Sequence, residues 1–156
     1  MRSQLFIDGS WVDPVAGSTL PVVDPATERV VHRAPAATAV DVGRACRAAR
    51  RAFETGWGDS SGASRATYLD AIAARIIARR EELADLEVLD NGKPLPEALW
   101  DIDDAAGCFS MYASLARELD EGDELTVAVP DERFRSVVRS VPVGVAGLIV
   151  PGTTRS

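Results

Sequence analysis

The chain has 156 residues, 46% of them hydrophobic and 26% charged, a composition that excludes disorder over most of its length. Its formal net charge of −7 argues against a general nucleic-acid binder, because phosphate neutralisation needs clustered positive charge. No stretch reaches the roughly 20 apolar residues that a membrane helix needs. The opening "MRSQLFIDGSW" holds no apolar core of signal-peptide length, so cytoplasmic residence is expected.

From Gln4 to Ala34 the pattern is β-like. Asp8-Gly9 between apolar flanks is a two-residue hairpin signal. Two further short strands are expected around an Asp24-Pro25-Ala26-Thr27 turn. From Thr38 to about Leu119 the pattern is helical. Thr38 is the expected N-cap, with Asp41 in the reciprocal position of a capping box. Val42, Ala45, Cys46, Ala49 and Phe53 form the apolar stripe of this first helix. The glycines of "TGWGDSSGAS" break it. A second helical run carries Tyr68, Leu69, Ile72, Ile76 and Leu83 as its stripe, with an interruption near Arg80. "DNGKPLP" is a turn, and Pro96-Glu97 suits the first turn of a third helix running from about Leu95 to Arg117.

From Leu125 the reading returns to strand. "LTVAV" and "FRSVVRSV" alternate as half-buried strands do, around a Pro130-Asp131 turn. The run from Val143 to Val150 reads as a buried strand bounded by Pro142 and Pro151. Such strands usually open an α/β unit, but here only a short polar tail follows.

The sequence offers little conventional chemistry. His32, the single histidine, sits in a polar strand end and reads as a surface residue. Cys46 and Cys108 lie too far apart for a redox or zinc pair, and helical phase makes both packed core residues. The arginines between Arg44 and Arg80 read as a solvated or salt-bridged face. No glycine-rich phosphate loop of standard type occurs. One helix face is different. Trp100, Asp104, Cys108 and Met111 recur at steps of four and three, and Asp101 stands beside Asp104. Burying two carboxylates on such a stripe is expensive unless it faces water or a cationic ligand. The pair reads either as a mouth attracting an amine, with Trp100 offering cation–π contact, or as acid placed in the early turns of a helix for its macrodipole.

"FIDGSWV", "VVDPATERVV", "LEVLDNGKPLPEALWDIDDAAGCF" and "VVRSVPVGVAGLIVP" together resemble the N-terminal quarter to third of an NAD-dependent aldehyde dehydrogenase. "WDIDDAAGCF" is similar to the betaine-aldehyde and ω-aminoaldehyde branch, whose substrates carry an amine or quaternary ammonium. The resemblance implies an α/β fold: N-terminal β-hairpins, a helical segment and the first strand of a Rossmann-like core, truncated. Residues 1–37 would be N-terminal strands, 38–120 the helical segment of the NAD-binding domain, 121–142 bridging strands for oligomerisation, and 143–156 the first core strand with an aberrant tail.

The same resemblance assigns sites. Val150 and Pro151 match the start of the NAD-contacting segment. Trp100, Asp101 and Asp104 match the substrate-channel entrance. Asp90, with the backbone carbonyl of Val23, matches a monovalent-cation site. In the family a Pro-Trp-Asn segment follows the first strand, and its asparagine helps form the oxyanion hole. This sequence has Gly152-Thr153-Thr154-Arg155-Ser156 after Pro151. Neither cysteine matches the family's nucleophile, and its glutamate base also falls later. The resemblance therefore implies a truncated or frameshifted piece of an aldehyde oxidoreductase, inactive alone, whose parent takes NAD, an aldehyde and a homo-oligomeric partner. The alternative is a non-catalytic interaction module that pairs through exposed strand edges. Either way an uncovered apolar face is expected, with self-association and poor solubility.

Overall fold

The computed structural model describes residues 3–119, 124–131 and 133–149. The described residues form three two-stranded antiparallel sheets and a set of helices. Leu5–Ile7 (β1) pairs with Ser10–Val12 (β2). Asp8 and Gly9 both adopt positive φ, 55° and 74°, as a two-residue hairpin turn matched to strand twist requires. Thr19–Val23 (β3) pairs with Val30–Pro35 (β4), and the register shifts between Val22 and Val23. Asp24 closes the connecting turn: its carboxylate accepts from Ala26 N at 2.9 Å and Thr27 Oγ1 at 2.6 Å. Glu124–Val127 (β5) pairs with Ser136–Arg139 (β6).

Ala39–Ala52 (α1) starts where the sequence predicts. Thr38 N–H donates to Asp41 Oδ2 at 2.9 Å and Thr38 Oγ1 donates to the same oxygen at 2.8 Å. Asp41 is 1% exposed, the one buried charged residue among those described. It also accepts from Val15 N at 3.2 Å, a bond spanning 26 residues that fixes the loop after β2 to the head of α1. Arg51 Nη2 adds an exposed ion pair to Asp8 at 2.8 Å. The helix passes into a π-helical turn, Phe53–Trp57, and Gly56 at φ 144° leaves helical geometry there.

Gly62–Ala78 (α2) is capped by Ser61, whose Oγ accepts from Ser64 N at 3.1 Å. The interruption expected near Arg80 falls at Arg79. Arg80–Asn91 (α3) then ends on Gly92 at φ 76°, the left-handed position that favours glycine. A Cβ there would also stand 2.7 Å from Pro25 Cγ, so the β3–β4 turn rests against this corner. Leu95–Glu118 (α4) follows, with Pro96 in its first turn.

The interior of this helical layer is built of alanine. Ala66 and Ala73 of α2, Ala84 of α3, and Ala98, Ala106, Ala113 and Ala116 of α4 are the buried hydrophobic residues of these helices. Ala66, Ala113 and Ala116 form one cluster, with Leu69 packed beside it. Alanine at a crossing lets two helix backbones approach toward the short end of the roughly 8–10 Å range of interaxial distances.

This corrects part of the apolar stripes expected from periodicity. Tyr68 and Ile72 are exposed, and the helix contact runs through the alanines beside them. On α1 the buried hydrophobic residue is Ala48, whereas Val42 and Cys46 are exposed. Cys108 is exposed as well, so neither cysteine is a core residue. Periodicity locates a stripe on a helix but not what covers it: Leu69 packs against the alanine cluster and Ile76 and Leu83 are half-buried, whereas Tyr68 and Ile72 are exposed. Trp57, Tyr68, Leu69, Ile72, Tyr112 and Leu115 line an open apolar groove along α2 and α4. The arginine face is salt-bridged as expected, through Arg51–Asp8, Arg79–Glu82 and Arg80–Asp103 among others.

Over 143–149 the chain makes no strand pairing among the described residues. Val143 is 95% and Ile149 99% exposed. A parallel-type strand is stable when neighbours pair with both its edges and helices cover its faces, and no described element does so here.

Two outcomes are expected. Ala113→Leu forces a larger side chain into a closed seam and should destabilise the helical layer by about 1–3 kcal/mol, read from thermal unfolding followed by circular dichroism. The Thr38 backbone N–H holds the Asp41 carboxyl below its ordinary value of 3.8. Its stabilisation is therefore complete above that value and is lost as pH falls through the lowered one. Asp41→Ala should lower the unfolding midpoint near neutral pH and shrink its decline between about pH 5 and about pH 2.

Candidate functional site

The acid-bearing face of α4 and the α3–α4 corner form the candidate site. Successive helix residues turn by about 100°, so positions two apart lie on nearly opposite faces. Trp100 and Cys108 therefore stand opposite Ala98 and Ala106, which are buried. Trp100 is 66% exposed, Asp104 and Cys108 are exposed, and Met111 is exposed one turn further on. The stripe read from spacing exists, and it faces outward. This removes the burial penalty that its carboxylates would otherwise incur.

The three aspartates at the head of α4 differ in their partners. Asp103 receives a two-pronged pair from Arg80, Nε to Oδ1 and Nη2 to Oδ2, both at 2.6 Å. That guanidinium holds the Asp103 carboxyl below its ordinary range. Asp101 is ion-paired to Lys93 Nζ, which also meets Glu87 Oε1 at 2.7 Å. Asp104 has no ion partner among the described residues.

Lys93 is tied from several directions. Its side chain is only 10% exposed. Asn91 Oδ1 accepts from its backbone N–H at 2.9 Å, and Asn91 Nδ2 reaches Glu87 Oε1 at 3.5 Å. The left-handed Gly92 turns the chain back so that Lys93 lies between α3 and α4. Its bond to Asp101, and next that to Glu87, push the ammonium pKa above the ordinary 10.5. The sequence gives one signal that could have found it: Lys93 is the single lysine beside sixteen arginines.

The other predicted site residues lie elsewhere. Val23 is exposed at the end of β3, paired with Val30, and Asp90 is exposed near the end of α3. The Pro25–Gly92 contact, two residues beyond each, brings their elements together. Among the described residues no group of three or more His, Cys, Asp or Glu side chains could hold a metal ion. Val150 and Pro151, assigned to cofactor contact, lie outside the described residues. His32 is half-buried within β4, opposite Val22.

The sequence pattern of the Aldehyde dehydrogenase family matches residues 11–151, and the chain belongs to that family. Among its relatives, the chloroplastic aminoaldehyde dehydrogenase ALDH10A8 of Arabidopsis thaliana is 51% identical over 152 residues, which are 95% of this chain and 30% of that protein. The chloroplastic betaine aldehyde dehydrogenase of Amaranthus hypochondriacus is 47% identical, again over 95% of this chain and 30% of its own length. A solved betaine aldehyde dehydrogenase of Staphylococcus aureus in complex with NAD+ is 34% identical, with a TM-score of 0.83 over 91% of this chain and 28% of that one. The chain thus spans less than a third of the proteins it matches, and its architecture is that of the N-terminal part of their fold. No helix among the described residues is long and apolar enough to cross a membrane.

Because Lys93 is the single lysine, amine acetylation reports on it and the N-terminus alone. At about pH 9 its held, protonated ammonium should label several-fold more slowly than after denaturation. Asp101→Asn should accelerate labelling several-fold, measured by mass spectrometry of the peptide containing Lys93.

Proposed function

We propose that the chain is the N-terminal scaffold of an NAD-dependent dehydrogenase acting on ω-aminoaldehydes or betaine aldehyde, and is catalytically inert by itself. The observation that carries this reading is the outward face of Trp100 and Asp104, opposite the alanine seam and flanked by the half-buried Asp101, in a chain about half identical to aminoaldehyde dehydrogenases. In the whole enzyme, the chemistry is attack of a cysteine on the aldehyde, hydride transfer and hydrolysis of the thioester. NAD, when bound, takes up the hydride.

This chain's part is recognition. An exposed carboxylate about 4 Å from a cationic group contributes about 1 kcal/mol, and an exposed cation–π contact contributes about 0.5–1 kcal/mol. Together they enrich an ammonium-bearing aldehyde at the mouth by roughly an order of magnitude, enough to bias selection but not to bind tightly. Val150 and Pro151 are assigned to the cofactor segment, residues 38–120 to the helical part of the NAD-binding domain, and 121–142 to bridging strands. The Pro25–Gly92 contact supports a monovalent-cation site between the Val23 carbonyl and Asp90. The two unpaired cysteines support a reducing compartment such as the cytoplasm.

The exposed groove of α2 and α4, and the unpaired 143–149 segment, support self-association. One preparation tests both statements. Pure chain incubated with NAD and an aminoaldehyde should form no NADH above background, and should sediment as concentration-dependent oligomers. Sustained NADH formation would overturn the claim of inactivity, and a well-behaved monomer would overturn the claim of association.

A further inference from the structure

We propose that Lys93 is a positioning residue that sets specificity at the channel mouth: by engaging Asp101 it leaves Asp104, beside Trp100, as the aspartate that meets a cationic substrate. This rests on the channel-mouth reading above and refines it.

Four observations support the assignment. Asp101 and Asp104 sit on adjoining positions of one helix face, yet their counter-ions differ: Lys93 engages Asp101, and no described residue pairs with Asp104. Lys93 is not a mobile surface cation. It is 10% exposed, its backbone is held by Asn91 Oδ1 at 2.9 Å, and its ammonium bridges Glu87 and Asp101. Asp103, the remaining aspartate of the cluster, is occupied by Arg80 at 2.6 Å through both of its oxygens. Trp100 and Asp104 are separated by one helical turn on the exposed face, so a quaternary ammonium over the indole lies next to that carboxylate.

The consequence is electrostatic. A mouth with two free aspartates would attract any polycation, whereas one free aspartate beside an indole suits a single ammonium group. Glu97, in the first turn of α4, is the other exposed carboxylate near Trp100 and is the competing contact.

The test uses the full chain and choline chloride as the probe, read through the Trp100 indole N–H resonance, which Trp100→Phe identifies. The uncharged carbon isostere of choline controls for apolar contact. Choline should shift the resonance, the isostere should not, and Asp104→Asn should weaken the response at least threefold. Lys93→Met removes a positive charge and frees Asp101, so it should at least double the response. Adding Asp101→Asn to that variant should abolish the gain. Lys93→Gln tests the same increase if the methionine variant does not fold, and Lys93→Arg should keep the wild-type response. A purely structural lysine predicts the opposite sign, a response reduced with the fold. No choline response in the wild-type chain would overturn the channel-mouth reading and this proposal with it. A wild-type response that Lys93→Met and Lys93→Gln leave unchanged or reduce would overturn only the role of Lys93. So would a response that Glu97→Gln abolishes and Asp104→Asn spares.

Discussion

Close approach of α2 and α4 through alanine is the constraint on which this structure depends. Ala66 and Ala73 face Ala106, Ala113 and Ala116 across a seam that larger side chains would hold open. Alanine gains little from burial, since apolar stabilisation scales with area at about 25 cal/mol per Å². The seam therefore supplies geometry more than energy, and ion pairs assist it. Arg80–Asp103 links α3 to α4, and Arg117–Asp70 links α4 to α2. Exposed pairs of this kind contribute modestly, about 0–1 kcal/mol each.

Other large apolar residues of the same helices, Tyr68, Ile72, Tyr112 and Leu115, are exposed. Trp57 and Tyr68 meet edge to face, ring centroids 5.5 Å apart, on the wall of an open groove. The groove is uncovered in a chain that spans 30% of the length of a relative it matches. The same seam orients the chemistry: with Ala98 and Ala106 turned inward, helix geometry turns Trp100 and Asp104 outward.

Charge at the α3–α4 corner is arranged one partner at a time. Gly92 allows the left-handed turn, the turn delivers Lys93, and Lys93 bridges Glu87 and Asp101. A cluster that is acidic in sequence thereby becomes a graded set, with Asp103 and Asp101 engaged and Asp104 open to solvent. Asp41 plays a comparable part at the head of α1, tying the loop after β2 to that helix.

Local signals in the sequence determined most element boundaries. Asp8-Gly9, the Asp24 turn, the Thr38–Asp41 cap, the break beside Arg80 and the Pro96 helix start all rest on interactions within four residues, so they are legible without tertiary context. The Trp100–Asp104–Cys108–Met111 stripe was legible for the same reason, as was the family resemblance carried by contiguous motifs. The sequence could not say which stripe faces a neighbour. Tyr68 and Ile72 satisfy helical periodicity as well as Ala66 and Ala73 do, and the choice between them depends on what packs opposite. On that account helical phase suggests a core position for Cys46 and Cys108, and both are exposed. Nor could it reveal the long-range partners, Val15 to Asp41 across 26 residues or Arg80 to Asp103 across 23. Those pairings, and the allotment of Lys93 to Asp101 rather than Asp104, were decided only by tertiary structure, because the packing of helices sets which charges come within reach of one another.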